Sequence, residues 1–191
     1  MNKYPVKQYP IVGACGLDCG LCPRHHTTGP SRCPGCAGKD FEQKHPPCGF
    51  ITCCVKLKQL ETCAECPDWA SCKRVNRVME GAKQVDSFIS YRPLADNYAF
   101  IQKNGIEEFT RRELAKMQFL IYLLEHFDDG RSKAFYCTCC QLLPLDSLKS
   151  ALAESEKKLN ENTGIKEKSG QIRAAIIRLA DALHVDLKLR K

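Results

Sequence analysis

Eleven of the chain's fourteen cysteines fall between Cys15 and Cys72, most of them in short pairs. The run reads Cys15-Gly-Leu-Asp-Cys19-Gly-Leu-Cys22, then Cys33-Pro-Gly-Cys36, Cys48, Cys53-Cys54, Cys63-Ala-Glu-Cys66 and Cys72. Thiolates at that density repel one another unless a cation shares them, and they oxidise unless metal or disulfide pairing protects them. Three C-x-x-C pairs, Cys19/Cys22, Cys33/Cys36 and Cys63/Cys66, have the spacing at which two thiolates of one tight turn grip one ion.

Redox compartment separates metal from disulfide. The opening MNKYPVKQYPIVGAC has no apolar core and no small-residue cleavage site of an export signal. The longest apolar stretch, Phe119 to Leu124, falls far short of the ~20 residues of a membrane span. A cytoplasmic protein without a membrane role is expected, in a compartment that keeps thiols reduced. Metal is then favoured over a disulfide-rich secreted module.

Two ligand sets follow from spacing. Cys33, Cys36, Cys48 and Cys53, with Cys54 as a substitute for Cys53, form a local set of four that suits a closed tetrahedral zinc site. Cys15, Cys19, Cys22, Cys63, Cys66 and Cys72 form a second set with more thiolates than one zinc needs. That set could hold one zinc, bridge two, or carry an iron–sulfur cluster. A sequential pairing of Cys19/Cys22 with Cys33/Cys36 also fits. The expected cofactor is zinc, two ions, with an iron–sulfur cluster as the alternative. His45 is a reserve ligand, and His25-His26 reads as surface.

Charge weighs against a nucleic-acid partner. The formal balance of +7 counts every cysteine as neutral. Eight thiolates around two divalent ions would lower it to about +3. The chain holds one Trp, and no basic stretch lies within the cysteine run, so interleaved aromatics and cations for nucleic acid are missing.

The elements that position these thiols divide near residues 73–85, giving a cysteine module over 1–75 and a helical region over 76–191. Most prolines lie in the first part, which cannot build a large apolar core and needs a staple. Thr110-Arg-Arg-Glu113 reads as a capping box opening a helix. Met117, Leu120, Ile121, Leu124 and Phe127 form its stripe, and Asp129-Gly130 its stop. Pro144 begins another helix, with Leu145, Leu148, Leu152 and Leu159 inward. Residues 160–170 read as a loop. A last helix spans about 171–187 on Ile172, Ile176, Leu179 and Leu183. The expected fold is mainly α, an irregular metal-stapled module packed on helices.

The order C-G-L-D-C-x-x-C-P, C-P-G-C, C…C-C and C-x-x-C-P-D-x-x-x-C over about Gly13 to Lys73 resembles a cysteine-rich family known as a domain of unknown function, common in anaerobic bacteria and archaea. Tyr91-Arg-Pro-Leu-Ala-Asp-Asn97, the segment Asp129 to Cys137 and Leu142-Leu-Pro-Leu145 resemble parts of its longer members. The resemblance implies a metal-binding module fused to helices and no established activity. Cys48 and Cys53 stand one residue further apart than in the family pattern, and Cys139 and Cys140 replace small residues.

The C-x3-C-x2-C spacing of Cys15, Cys19 and Cys22 also matches the cluster loop of radical S-adenosylmethionine enzymes. The strand–helix alternation of their barrel is missing here. No Ser–His–Asp set, HExxH or phosphate-binding glycine loop supports an enzyme. Tyr91 and Arg92 with Arg131, Ser132, Lys133 and Tyr136 are candidates for a pocket taking a small anion. Three functions result: a zinc module that binds a protein or small anionic ligand, an iron–sulfur protein for electron transfer or sensing, and, third, a nucleic-acid-binding zinc protein.

Overall fold

The computed structural model describes residues 4–160 and 162–191. Met1–Lys3, part of the segment read for an export signal, and Glu161 of the expected loop lie outside the described residues.

The fold is mainly α, with no strand among the described residues. Up to Cys72 the chain is irregular and punctuated by single turns: 3-10 turns at Cys19–Leu21, Cys63–Glu65 and Trp69–Ser71, a short helix α1 at Phe41–Lys44, and a π-type turn at Ile51–Leu57. Six longer helices follow: α2 Lys73–Gly81, α3 Leu94–Asn104, α4 Ile106–Phe127, α5 Lys133–Leu142, α6 Leu145–Glu156 and α7 Ile165–Ala182. No helix among the described residues is long and apolar enough to cross a membrane.

Helix α4 is the spine. It packs on α3, α5 and α7 and on the Cys19–Leu21 turn. Gly105 alone separates it from α3, at φ 85°, a conformation that stops one helix and admits another at a new angle. Thr110 and Glu113 therefore lie inside α4, both buried, and do not cap it. The capping box is built at Thr62–Glu65 instead. There Thr62 N–H donates to Glu65 Oε2 at 2.8 Å and opens the turn that carries Cys63.

The apolar stripes are rotated from their expected faces. In α4 Leu120 and Phe127 are buried, but Leu123 joins them and Ile121 is 36% exposed. The last helix starts six residues earlier than its stripe suggests, at Ile165, and ends at Ala182. Ile172 and Ile176 are buried and Leu183 is exposed. Pro144 does precede α6, where Leu148 and Leu152 face inward.

Two cores result. The first gathers Val12, Phe41, Ile51 and Val75 from the cysteine segment together with Leu94, Tyr98, Ile101 and Phe109 from α3 and α4. The second gathers Leu120, Leu123, Tyr136, Leu148, Ile172 and Ile176, and takes Leu21 from the cysteine segment. The cysteine segment thus borrows α3 to complete its core. Gly16 shows how closely. A side-chain carbon there would lie 2.5 Å from the Tyr98 ring, and its φ is +89°.

Candidate metal centre

Six thiols line one cavity of about 240 Å³: Cys15, Cys19, Cys22, Cys33, Cys36 and Cys48. Tight turns bring them there. The Cys19–Leu21 turn closes with Cys22 N–H on Cys19 O at 3.2 Å. In the Cys33–Cys36 turn, Gly35 adopts φ +88° and Cys36 N–H donates to Pro10 O at 2.7 Å. Segment 9–14 wraps over this turn and aims Ala14 N–H at Cys36 Sγ, 3.2 Å away. Apolar and aromatic side chains, Phe41, Phe50, Ile89 and Tyr91 among them, form the rest of the wall.

The electrostatics favour thiolate at Cys36. Hydrogen bonding from Cys19 draws its pKa down. Burial opposes this, and the Lys7 ammonium and Ala14 N–H assist. Lys7 is itself buried, donates to Val12 O, and lies 4.0 Å from Glu61. Its neighbour Cys19 is pushed up by that shared hydrogen bond and by burial. Cys15 is pushed up to about 12 by burial and by the charges of Cys36 and Cys48. Cys22 is raised by burial, with Cys33 as a nearby charge. The upward shifts at Cys15, Cys19 and Cys22 reflect the crowding of sulfur in an apolar place, and a bound cation would oppose them and deepen the lowering at Cys36.

A second group forms around Cys63. Cys54 is buried on the π-type turn, where its Sγ donates to Leu60 O at 3.4 Å. Cys63 is raised by hydrogen bonding with Cys54, then by burial and by the charges of Cys54 and Cys72. Cys53, the next residue to Cys54, is half-buried. Cys66 takes the Lys58 ammonium at 3.0 Å, and Lys58 also pairs with Asp68 at 2.7 Å.

The sulfur partners thus differ from both sets suggested by spacing. Cys36 and Cys48 leave the local set to share a cavity with Cys15 and Cys19, while Cys19, Cys22, Cys33 and Cys36, the sequential grouping, all line that cavity. Cys54 rather than Cys53 hydrogen-bonds Cys63, which also feels the charge of Cys72. Among the described residues no three His, Cys, Asp or Glu side chains already stand at single-ion spacing. The donors are soft, crowded and set in an apolar wall, which fits a thiophilic metal group. His45 borders the cavity, stacked on Phe41 at 4.6 Å. His25 and His26 hydrogen-bond Cys33 O and Gly20 O, and burial lowers the pKa of each.

Cys137, Cys139 and Cys140 lie in the second core, and burial raises all three. They behave as small apolar side chains.

The anion pocket expected at Tyr91, Arg92, Arg131, Ser132, Lys133 and Tyr136 is not assembled. Tyr91 lines the cysteine cavity. Arg92 donates to Asp186 O and to Lys188 O at 2.6 Å. Ser132 and Tyr136 are buried and meet at Ser169 Oγ, at 2.9 and 3.3 Å. Arg131 is exposed and Lys133 half-buried. Asp128 and Asp129 accept the loop's own N–H groups, so this segment caps itself.

Sequence reasoning missed a buried polar cluster that joins the module to the helices. Asp18 Oδ1 accepts from Asn97 Nδ2 at 2.8 Å, and Oδ2 from Gln141 Nε2 at 3.3 Å. Burial and the Glu113 charge raise Asp18 to about 7. Glu113 Oε1 lies 3.0 Å from Arg112 Nε and 3.1 Å from Lys116 Nζ. Only the place of Asp18 in C-G-L-D-C and of Asn97 in Y-R-P-L-A-D-N hinted at a shared task.

Compared with protein-family models, with curated proteins and with solved structures, the chain finds no match.

Proposed function

We propose that the chain is a metal–thiolate protein whose cysteine segment is held in shape by metal and docked on the helices as a module for binding. The observation that carries this reading is the six-thiol cavity, with Ala14 N–H directed at Cys36 and the charge of the buried Lys7 ammonium acting on it. Cys15, Cys19, Cys36 and Cys48 would hold the first centre, with Cys22 and Cys33 beside them. Cys54, Cys63 and Cys72 would supply the second. Structural zinc, when bound, supplies folding free energy to a segment too poor in apolar residues to fold alone. Backbone N–H groups and the buried ammonium offset the negative charge of the sulfurs.

An iron–sulfur centre is the second reading, favoured by one observation. The cavity has room beyond a single ion, six thiols stand on its wall, and the lining is otherwise mostly apolar. Anaerobic purification with metal and sulfide analysis and a visible spectrum separates the two. Zinc gives a colourless protein with no sulfide, and a cluster gives a brown one with iron and sulfide together. Cytoplasmic residence and the likeness to the cysteine-rich family of unknown function belong to the same proposal.

A further inference from the structure

A second cavity, of about 640 Å³, opens between α3, α4, the α5–α6 turn and the segment after α7. No cysteine lines it. Its size falls in the range that holds small organic molecules. Its wall combines two chemistries. Leu142, Leu143, Leu145 and Val185 give an apolar part. From α4 come Arg112 and Lys116, one turn apart, and both lean on the single oxygen Glu113 Oε1. Arg112 uses Nε on that oxygen and Nη2 on Asn97 Oδ1 at 3.2 Å. A guanidinium has five donor hydrogens and an ammonium three, so both cations keep donors for a guest. Asn97 and Gln141 cannot compete for it, because their amides are spent on Asp18, Gly16 O and Ser90. Two cations therefore share one carboxylate oxygen beside an apolar wall. The carboxylates Asp96 and Asp186 also border the cavity, and both are exposed to solvent.

We propose that this cavity binds a small organic carboxylate, its carboxylate held by Arg112 and Lys116 and its apolar body lying on the leucines that follow α5. The charge arrangement selects an anion, and the leucine wall selects one with a hydrocarbon part over a bare inorganic ion. The site is separate from the thiols, so it stands whether or not metal is bound there.

Calorimetric titration of the full chain with hexanoate, benzoate, inorganic phosphate and hexylamine tests it. Hexanoate or benzoate should bind once per chain, with phosphate on the order of tenfold weaker and hexylamine inert. Lys116→Met should weaken carboxylate binding on the order of tenfold, the loss of one charge-assisted hydrogen bond. Ala115→Phe should abolish binding by filling the space while leaving every ion pair intact, and it decides the matter if Lys116→Met does not fold. Arg111→Met, on the exposed side of the same helix, should leave binding unchanged. Absence of binding by both carboxylates, tighter binding of hexylamine, or carboxylate binding that survives Ala115→Phe overturns the proposal.

Discussion

Arg190 closes over Asp86 from 104 residues away, with Nη2 2.9 Å from Oδ1 and Nε 3.1 Å from Oδ2. The backbone N–H of Arg190 adds a third bond to Oδ2 at 2.8 Å, and Tyr91 N–H donates to Oδ1 at 2.8 Å. The Asp86 side chain is fully buried. Asp86 lies between α2 and α3, so the pair laces the end of the chain to the joint between the cysteine segment and the helices. Burial alone would raise this carboxyl. The Arg190 guanidinium and the converging N–H groups win and hold it well below the usual carboxylate range.

Removing one partner of such a pair strands the other. Asp86→Asn is expected to cost about 3 kcal/mol in urea unfolding at pH 7. The sign with pH follows from the depressed pKa. The pair's contribution is complete above about pH 4, the unfolded carboxylate value, and fades as pH falls below it. The gap between wild type and Asp86→Asn should therefore narrow in acid. A gap that stays constant from pH 7 to pH 3 would show that charge is not what Asp86 contributes.

Gly35, in the turn that carries Cys33 and Cys36 to the thiol cavity, leaves no room for a side chain. A side-chain carbon there would meet Pro10 O at 2.5 Å, in a backbone already at φ +88°. Gly35→Ala is expected to lose more than 1 kcal/mol in urea unfolding, from strain and from displacement of the Cys36 N–H bond to Pro10. Gly29 has a similar φ, +80°, and open space around it. Gly29→Ala should carry the strain alone and cost about 1 kcal/mol. Equal losses at the two positions would contradict the tight wrap over the Cys33–Cys36 turn.

The neighbours Cys53 and Cys54 separate the two possible second centres. Cys54→Ser should lower bound metal by one centre, because Cys54 is the one that hydrogen-bonds Cys63. Cys53→Ser should leave metal content unchanged. Plasma emission analysis of both variants after gel filtration reads the difference, and the reverse pattern would reassign the ligand.

The helical class followed from stripes such as Leu148 and Leu152, and the cysteine pairs, whose C-x-x-C spacing has few other uses, pointed to the thiol-lined cavity. Helix faces were less legible. Ile121 and Leu123 are both apolar neighbours on α4, and only packing against α5 and α7 chooses Leu123. Thr110-x-x-Glu113 has the spacing of a cap, yet Gly105 starts the helix earlier and both residues end up buried. Spacing left the sulfur groupings open, and the sequential grouping of Cys19/Cys22 with Cys33/Cys36 is the one that shares a cavity. Cys15 joins Cys36 there as segment 9–14 folds over the Cys33–Cys36 turn, a long-range fact that local spacing does not carry. Nothing in local spacing joins Arg190 to Asp86: α7 stops at Ala182 and the arginine reaches back over 104 residues.

Cys36→Ser against Cys139→Ser contrasts a cavity thiol with a core thiol. The first should lose metal and destabilise residues 13–73, since an open position on a structural site admits water. The second should keep its metal and lose only about 1 kcal/mol of core packing on thermal unfolding. Loss of metal from Cys139→Ser would move a centre into the helical region.

Metal content with sulfur-edge and metal-edge X-ray absorption on anaerobically purified wild type tests the central claim most directly. The account predicts two metal centres per chain with an all-sulfur shell, and unfolding of residues 13–73 when a chelator strips them. A metal-free chain whose residues 13–73 stay folded, with thiols free or paired as disulfides, would contradict it.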